Sequence, residues 1–133
     1  MVRFDKFTQK NQEAIQQALQ LALELKHQQI EPEHFTCALL KEEGGIIPAI
    51  LERLGISSSR ILSAIEDEFK RKSTIDGGQQ PFLSHNLNEV LRRAEKNAAD
   101  MKDEYVAQEH ALFGLFQMEG TVINKELKKN GIK

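Results

Sequence analysis

The sequence predicts an all-α domain built from two similar halves. Apolar residues recur at the three- and four-residue spacing of a helix face, and no segment sustains the alternation of a half-buried strand. The chain also matches itself at a fixed offset. Displaced by 76 positions, Glu13 meets Glu89, Ala18 meets Ala94, Ala22 meets Ala98 and Lys26 meets Lys102. Further on, Glu33 meets Glu109, His34 meets His110, Leu39 meets Leu115, Glu43 meets Glu119 and Gly44 meets Gly120. Ile47, Leu51, Gly55 and Ile56 then meet Ile123, Leu127, Gly131 and Ile132, making thirteen identities over fifty ungapped positions. Chance supplies roughly three or four at ordinary residue usage.

Each element has its own punctuation. Thr8 and Ser84 are N-cap residues ahead of long helical patterns. In the first, Asn11, Ala14, Ile15, Ala18, Leu21, Ala22 and Leu25 form one stripe; Leu19 and Leu23 flank it, widening the core face or meeting a surface partner. In its counterpart the stripe is Leu87, Val90, Leu91, Ala94, Ala98 and Met101, and the alanines imply close helix approach. Pro32 opens a second helix, where its missing N–H costs little. That helix carries Phe35, Ala38, Leu39 and Leu40 and stops at Gly44-Gly45. A third holds Ile47, Ile50, Leu51 and Leu54 and ends on Gly55 as a left-handed cap. Ser57 to Ser59 start a fourth, with Ile61, Leu62, Ile65 and Phe69. The expected organisation is one domain, 1–133, with repeat one at 8–72, a linker at 73–83 containing Gly77-Gly78, and repeat two at 84–133. Repeat two lacks a counterpart of the fourth helix, so the parent chain is expected to continue past Lys133.

Composition narrows the function classes. The chain has 133 residues, 40% of them hydrophobic, enough to bury a core without a disulfide or metal staple. Eighteen basic against twenty acidic residues give a net charge of −2, without the basic footprint of a nucleic-acid binder. No apolar run approaches the roughly 20 residues needed to span a bilayer, and Met1-Val2-Arg3-Phe4-Asp5-Lys6 turns polar at once, unlike a signal peptide. A cytoplasmic protein with neither nucleic acid nor membrane as partner is expected. Cys37, the single cysteine, sits in an apolar run and reads as a small buried hydrophobe.

Chemistry is sparse. The chain has no Gly-x-x-x-x-Gly-Lys-Ser/Thr loop, no His-Glu-x-x-His pair, no cysteine cluster and no nucleophile elbow. No catalytic residue, metal or cofactor is therefore implied. His34 and His110 hold equivalent places, which points to one structural role used twice, on the first turn of a helix. Glu33 and Glu109 lie in the same first turns, where a carboxylate offsets the helix dipole by about 0.3–1 kcal/mol. They could equally present acceptors to incoming N–H or guanidinium groups.

Several stretches resemble the amino-terminal repeat domains of Clp-type AAA+ proteins. Phe7-Thr8 ahead of the long helix is one. Others are Ile30-Glu31-Pro32-Glu33-His34-Phe35-Thr36-Cys37-Ala38-Leu39-Leu40 and Glu43-Gly44-Gly45 followed by Ile50-Leu51-Glu52-Arg53-Leu54-Gly55-Ile56. The Ile-Glu-Pro-x-His wording resembles the ClpB branch. In the ClpC branch a Gly-Thr-Glu-His form is common, and here Pro32 and Gln108 stand in place of its threonines. The resemblance covers essentially the whole chain, one helix short of the family's eight. It implies a non-catalytic, monomeric domain capping a hexameric AAA+ ATPase ring, which binds exposed apolar segments of unfolded or aggregated polypeptides and delivers them for disaggregation. Thr8, Asp103 and Glu109 are then the polar site residues, with Val90 and Leu91 in an apolar groove whose surroundings include polar Arg93, Asn97 and His110. The alternatives are an adaptor-docking domain of a ClpA/ClpC-type unfoldase and a freestanding helical scaffold.

Overall fold

The computed structural model describes residues 4–42, 44–74 and 80–131. After a 3₁₀ turn at Phe4–Lys6 come α1 (Gln9–Glu24), β1 (Gln29–Ile30), α2 (Pro32–Lys41), α3 (Ile46–Arg53) and α4 (Ser58–Lys70). Then follow β2 (Phe82–Leu83), α5 (His85–Asp100), α6 (Gln108–Gln117) and α7 (Val122–Lys129). Helices α1, α2 and α3 recur as α5, α6 and α7 with both ends displaced by 76 residues. Glu43, Gly77, Gly78 and Ile132, used in the sequence reading, lie outside the described residues.

The capping expectations hold in detail. Thr8 Oγ1 accepts the Asn11 N–H at 3.2 Å, and its twin Ser84 Oγ accepts that of Leu87 at 3.0 Å. Ser57 and Thr121 cap α4 and α7 in the same way. The other ends of α1 and α5 were not legible. Both close on a lysine in the left-handed region, Lys26 at φ 59° and Lys102 at φ 60°. There the next residue's N–H returns to the helix: His27 to Ala22 O and Asp103 to Ala98 O, each at 2.9 Å. Because the chain leaves the helix at this point, Leu25 and Met101, read as the last core residues of their stripes, are 36% and 60% exposed. Leu19 is half-buried against the core, as a wider face requires.

The halves are joined by exchanged strands. In the first, β1 of repeat one pairs in parallel with β2, the segment leading into repeat two, placing Ile30 beside Leu83. Phe7, leading into α1, makes the equivalent bridge to Val106 of repeat two. Thr8 N–H thus donates to Val106 O at 2.9 Å and Ser84 N–H to Ile30 O at 3.1 Å. Phe82 and Leu83, read as the end of the linker, are strand. Two-residue pairings leave no alternation to read, so the all-α expectation stands beside them.

The core is continuous across both repeats and includes Phe35, Leu39, Ile47, Leu51, Leu87, Leu91, Leu115 and Ile123. Close helix approach occurs between α5 and α6, where Ala94 and a glycine not singled out from the sequence face each other. At Gly114 on α6, a Cβ would lie 2.8 Å from the Val90 carbonyl of α5, so the two helices approach closer than any larger side chain permits.

Candidate functional site

Both α2 and α6 lack a capping hydroxyl and use the histidine at N3 instead. Glu31 N–H donates to His34 Nδ1 at 2.8 Å, and Ala107 N–H to His110 Nδ1 at 2.9 Å. With Nδ1 accepting, the ring proton sits on Nε2, which faces residue 27 in one repeat and residue 103 in the other. His34 Nε2 meets His27 Nδ1 at 2.9 Å; His110 Nε2 meets Asp103 Oδ2 at 2.8 Å. The first-turn role expected of the two histidines is therefore observed in both repeats.

The twin glutamates part company. Glu33 Oε2 crosses to the other repeat and accepts the Val122 N–H at 3.1 Å, capping α7. Burial is the main cause holding its carboxyl above the ordinary glutamate range, opposed by that hydrogen bond. Glu109 is exposed instead, at the mouth of a cleft of about 390 Å³. The cleft lies between the start of α1 (Thr8, Gln9, Lys10), the turn into α3 (Glu42, Gly44, Gly45, Ile46) and the start of α6 (Ala107, Gln108, Glu109). Ile46, the twin of Val122, is 48% exposed there. The two-fold relation thus yields one helix start covered by a carboxylate of the chain itself and one facing an open cleft.

Gln108 holds the three walls together. It is 4% exposed, and its Nε2 donates to Lys10 O on α1 and to Glu42 Oε1 beside α3, each at 3.2 Å. Its twin is Pro32, which has no such donor, and nothing in the sequence marks Gln108 as a brace. Ile46 and Glu42 were missed for the same reason: only tertiary packing brings them to Thr8.

Of the five site residues read from the sequence, Thr8 and Glu109 line this cleft. Asp103 does not; its contact with His110 supports the first turn of α6, on which Glu109 stands. Val90 and Leu91 are a correction. Both are 0% exposed on the inner face of α5, so they build the core and line no surface groove. The polar character of Arg93 and Asn97 also has its explanation. They line a separate groove of about 600 Å³ between α5 and α6, with Glu89, Lys96, Asp100 and Gln117. Its charges satisfy one another, Arg93 with Glu89 at 3.2 Å and Lys96 with Asp100 at 3.0 Å. Cys37 is buried, and desolvation pushes its thiol up to about 11, which leaves it an unreactive packing group.

The fold is a helical repeat domain with a cleft between its halves, and no cluster of three or more metal-ligating side chains occurs among the described residues. Residues 6–130 match the family model of the Clp repeat N-terminal domain, and the chain belongs to that family. It is 35% identical over 122 residues to the chaperone protein ClpB of Nitratidesulfovibrio vulgaris, covering 89% of this chain and 14% of that protein. The chain therefore spans about one seventh of that relative's length. In fold it is similar to the Hsp104 N-terminal domain from Candida albicans, with TM-score 0.81 and 22% identity over 96% of this chain and 83% of that one. It is also similar to a ClpV N-domain solved in complex with a VipB peptide, with TM-score 0.76 and 16% identity over 98% and 81%. No helix among the described residues is long and apolar enough to cross a membrane.

Proposed function

We propose that this chain is the substrate-recognition domain of a ClpB-type disaggregase, and that the Thr8–Glu109 cleft receives exposed apolar segments of unfolded or aggregated polypeptides for delivery to the AAA+ ring. The observation that carries the reading is the broken symmetry. The start of α7 is capped from within by Glu33, while the start of α3 presents half-exposed Ile46 to an open cleft. Family membership supports the setting, and the ClpV relative solved with a peptide supports polypeptide as the ligand class.

The physics suits a tolerant receptor. Covering apolar surface gains about 25 cal/mol per Å² whatever the sequence that covers it. Ordering a flexible segment offsets much of that gain, so single-site affinity is weak. Several such domains on one ring raise the local concentration of sites and recover avidity.

The test is a titration of the isotope-labelled chain with a permanently unfolded polypeptide, followed by backbone amide shifts. Shifts gathered at Thr8, Ile46, Gln108 and Glu109 are expected. Ile46→Ala should weaken binding about fivefold, as loss of roughly 1 kcal/mol of half-exposed apolar contact requires. An unperturbed spectrum at large excess overturns the reading and favours adaptor docking, whose mark is stoichiometric binding of a folded partner.

A further inference from the structure

The two repeats solve the same local problem with different chemistry. In both, a helix-starting histidine accepts a backbone N–H on Nδ1 and points Nε2–H at the residue just beyond the end of the preceding long helix. Repeat two puts a carboxylate there, Asp103, whereas repeat one puts a second imidazole, His27. Only repeat one then adds an aromatic lid. Phe69, near the end of α4, stacks on His34 at 4.5 Å and 20° and meets the edge of His27 at 5.3 Å and 60°. Beyond it, Lys72 Nζ pairs with Glu31 Oε2 at 3.3 Å. His27 and His34 are 4% and 0% exposed.

We propose that the His27–His34 pair is an acid-sensitive latch holding the C-terminal end of α4 on the repeat-one core, a device repeat two does not share. The hydrogen-bond chain runs one way only: Glu31 N–H to His34 Nδ1, then His34 Nε2–H to His27 Nδ1. A proton added at His27 Nδ1 sets two donors face to face at 2.9 Å. His34 cannot switch tautomer in response, because a proton on Nδ1 would face the Glu31 N–H instead. The charged groups that reach the pair are Lys72 from the end of α4, which opposes protonation of both rings, and Glu31 at the start of α2, which favours it at His27. Glu33 and Glu68, on α2 and α4, act on each other. Loss of water from the rings, reinforced by the facing cation, disfavours the charged state in the closed form. Acid is therefore absorbed by opening, which lifts Phe69 and the last turn of α4. In repeat two the acceptor facing Nε2–H is the Asp103 carboxylate, so that contact offers no second imidazole nitrogen at which a proton would set two donors face to face.

Amide exchange in the whole chain reads this directly. After correction for intrinsic rates, opening of the last two turns of α4 should rise about 25-fold between pH 7 and pH 5, as one histidine kept neutral in the closed state and free at 6.5 in the open state requires. Exchange in α5 should change far less. His27→Asp installs the repeat-two acceptor and should abolish the acid response of α4. Ring-nitrogen NMR of the unaltered chain is the second readout: His34 should remain protonated at Nε2 and neutral at pH 5. A histidine pair that titrates near 6.5 while α4 exchange tracks that of α5 overturns the latch.

Discussion

At the scale of single residues, sequence identity between the repeats hides divergent roles. Glu33 and Glu109 are twins by position, yet one is a buried cap and the other an exposed rim group. Glu33→Ala orphans the Val122 N–H and should cost about 1–2 kcal/mol in a urea melt, whereas Glu33→Gln keeps an acceptor and should cost less. Glu109→Ala should change stability by less than about 0.5 kcal/mol while weakening polypeptide binding, which separates the rim role from a structural one. His34 sets a pH dependence of known sign. Desolvation, helped by His27 and Lys72, lowers its pKa from the ordinary 6.5 to about 3. The unfolded chain therefore takes up a proton that the folded chain refuses. Its stabilising contribution is full above 6.5 and is lost as pH falls from there toward 3, by about 1.4 kcal/mol per pH unit. Chemical melts between pH 7 and pH 5 check this, and a flat profile would contradict it.

Helix ends and helix contacts carry the next set of consequences. Lys26 and Lys102 hold φ near 60°, where a side chain costs roughly 1 kcal/mol that glycine does not. Each lysine-to-glycine change should stabilise the chain by up to about that amount, less the entropy glycine adds to the unfolded state. Thermal melts of the single and double variants measure it. Gly114 lies in the opposite situation. Its φ is ordinary, but the carbonyl of Val90 occupies the place of a side chain. Gly114→Ala should therefore push α5 and α6 apart at a cost of about 1–3 kcal/mol, despite alanine's higher helix propensity.

The whole molecule is held together by exchange. Each repeat's leading segment pairs with the other repeat, Phe7 with Val106 and Leu83 with Ile30, and Gln108 ties α6 to α1 and the α2–α3 turn. Each half thus leaves backbone groups and core surface for the other to cover. A peptide of residues 1–72 should be largely unfolded alone by circular dichroism and gain helix when mixed with residues 80–133. Independent folding of either half would show that the strands merely decorate two self-sufficient units.

How much of this was legible follows from where the information lies. Helix number, helix starts and the duplication were readable because caps, glycine stops and apolar spacing act within a few residues of chain. Seven helices among the described residues, the N-caps Thr8, Ser84 and Ser57 and the first-turn histidines followed from the sequence by itself. So did the family, through motifs spread over the chain. The left-handed lysines were not legible, because strain at one residue is tolerated when the returning His27 and Asp103 amides over-determine the turn. Val90 and Leu91 were misplaced because periodicity tells that a face is apolar, not what covers it; here the rest of the core does. The cleft itself was decided only in three dimensions. Thr8 and Glu109 are a hundred residues apart, and they meet because Val106 pairs with Phe7. Which of two equivalent helix starts stays open rests on a single carboxylate crossing from one repeat to the other.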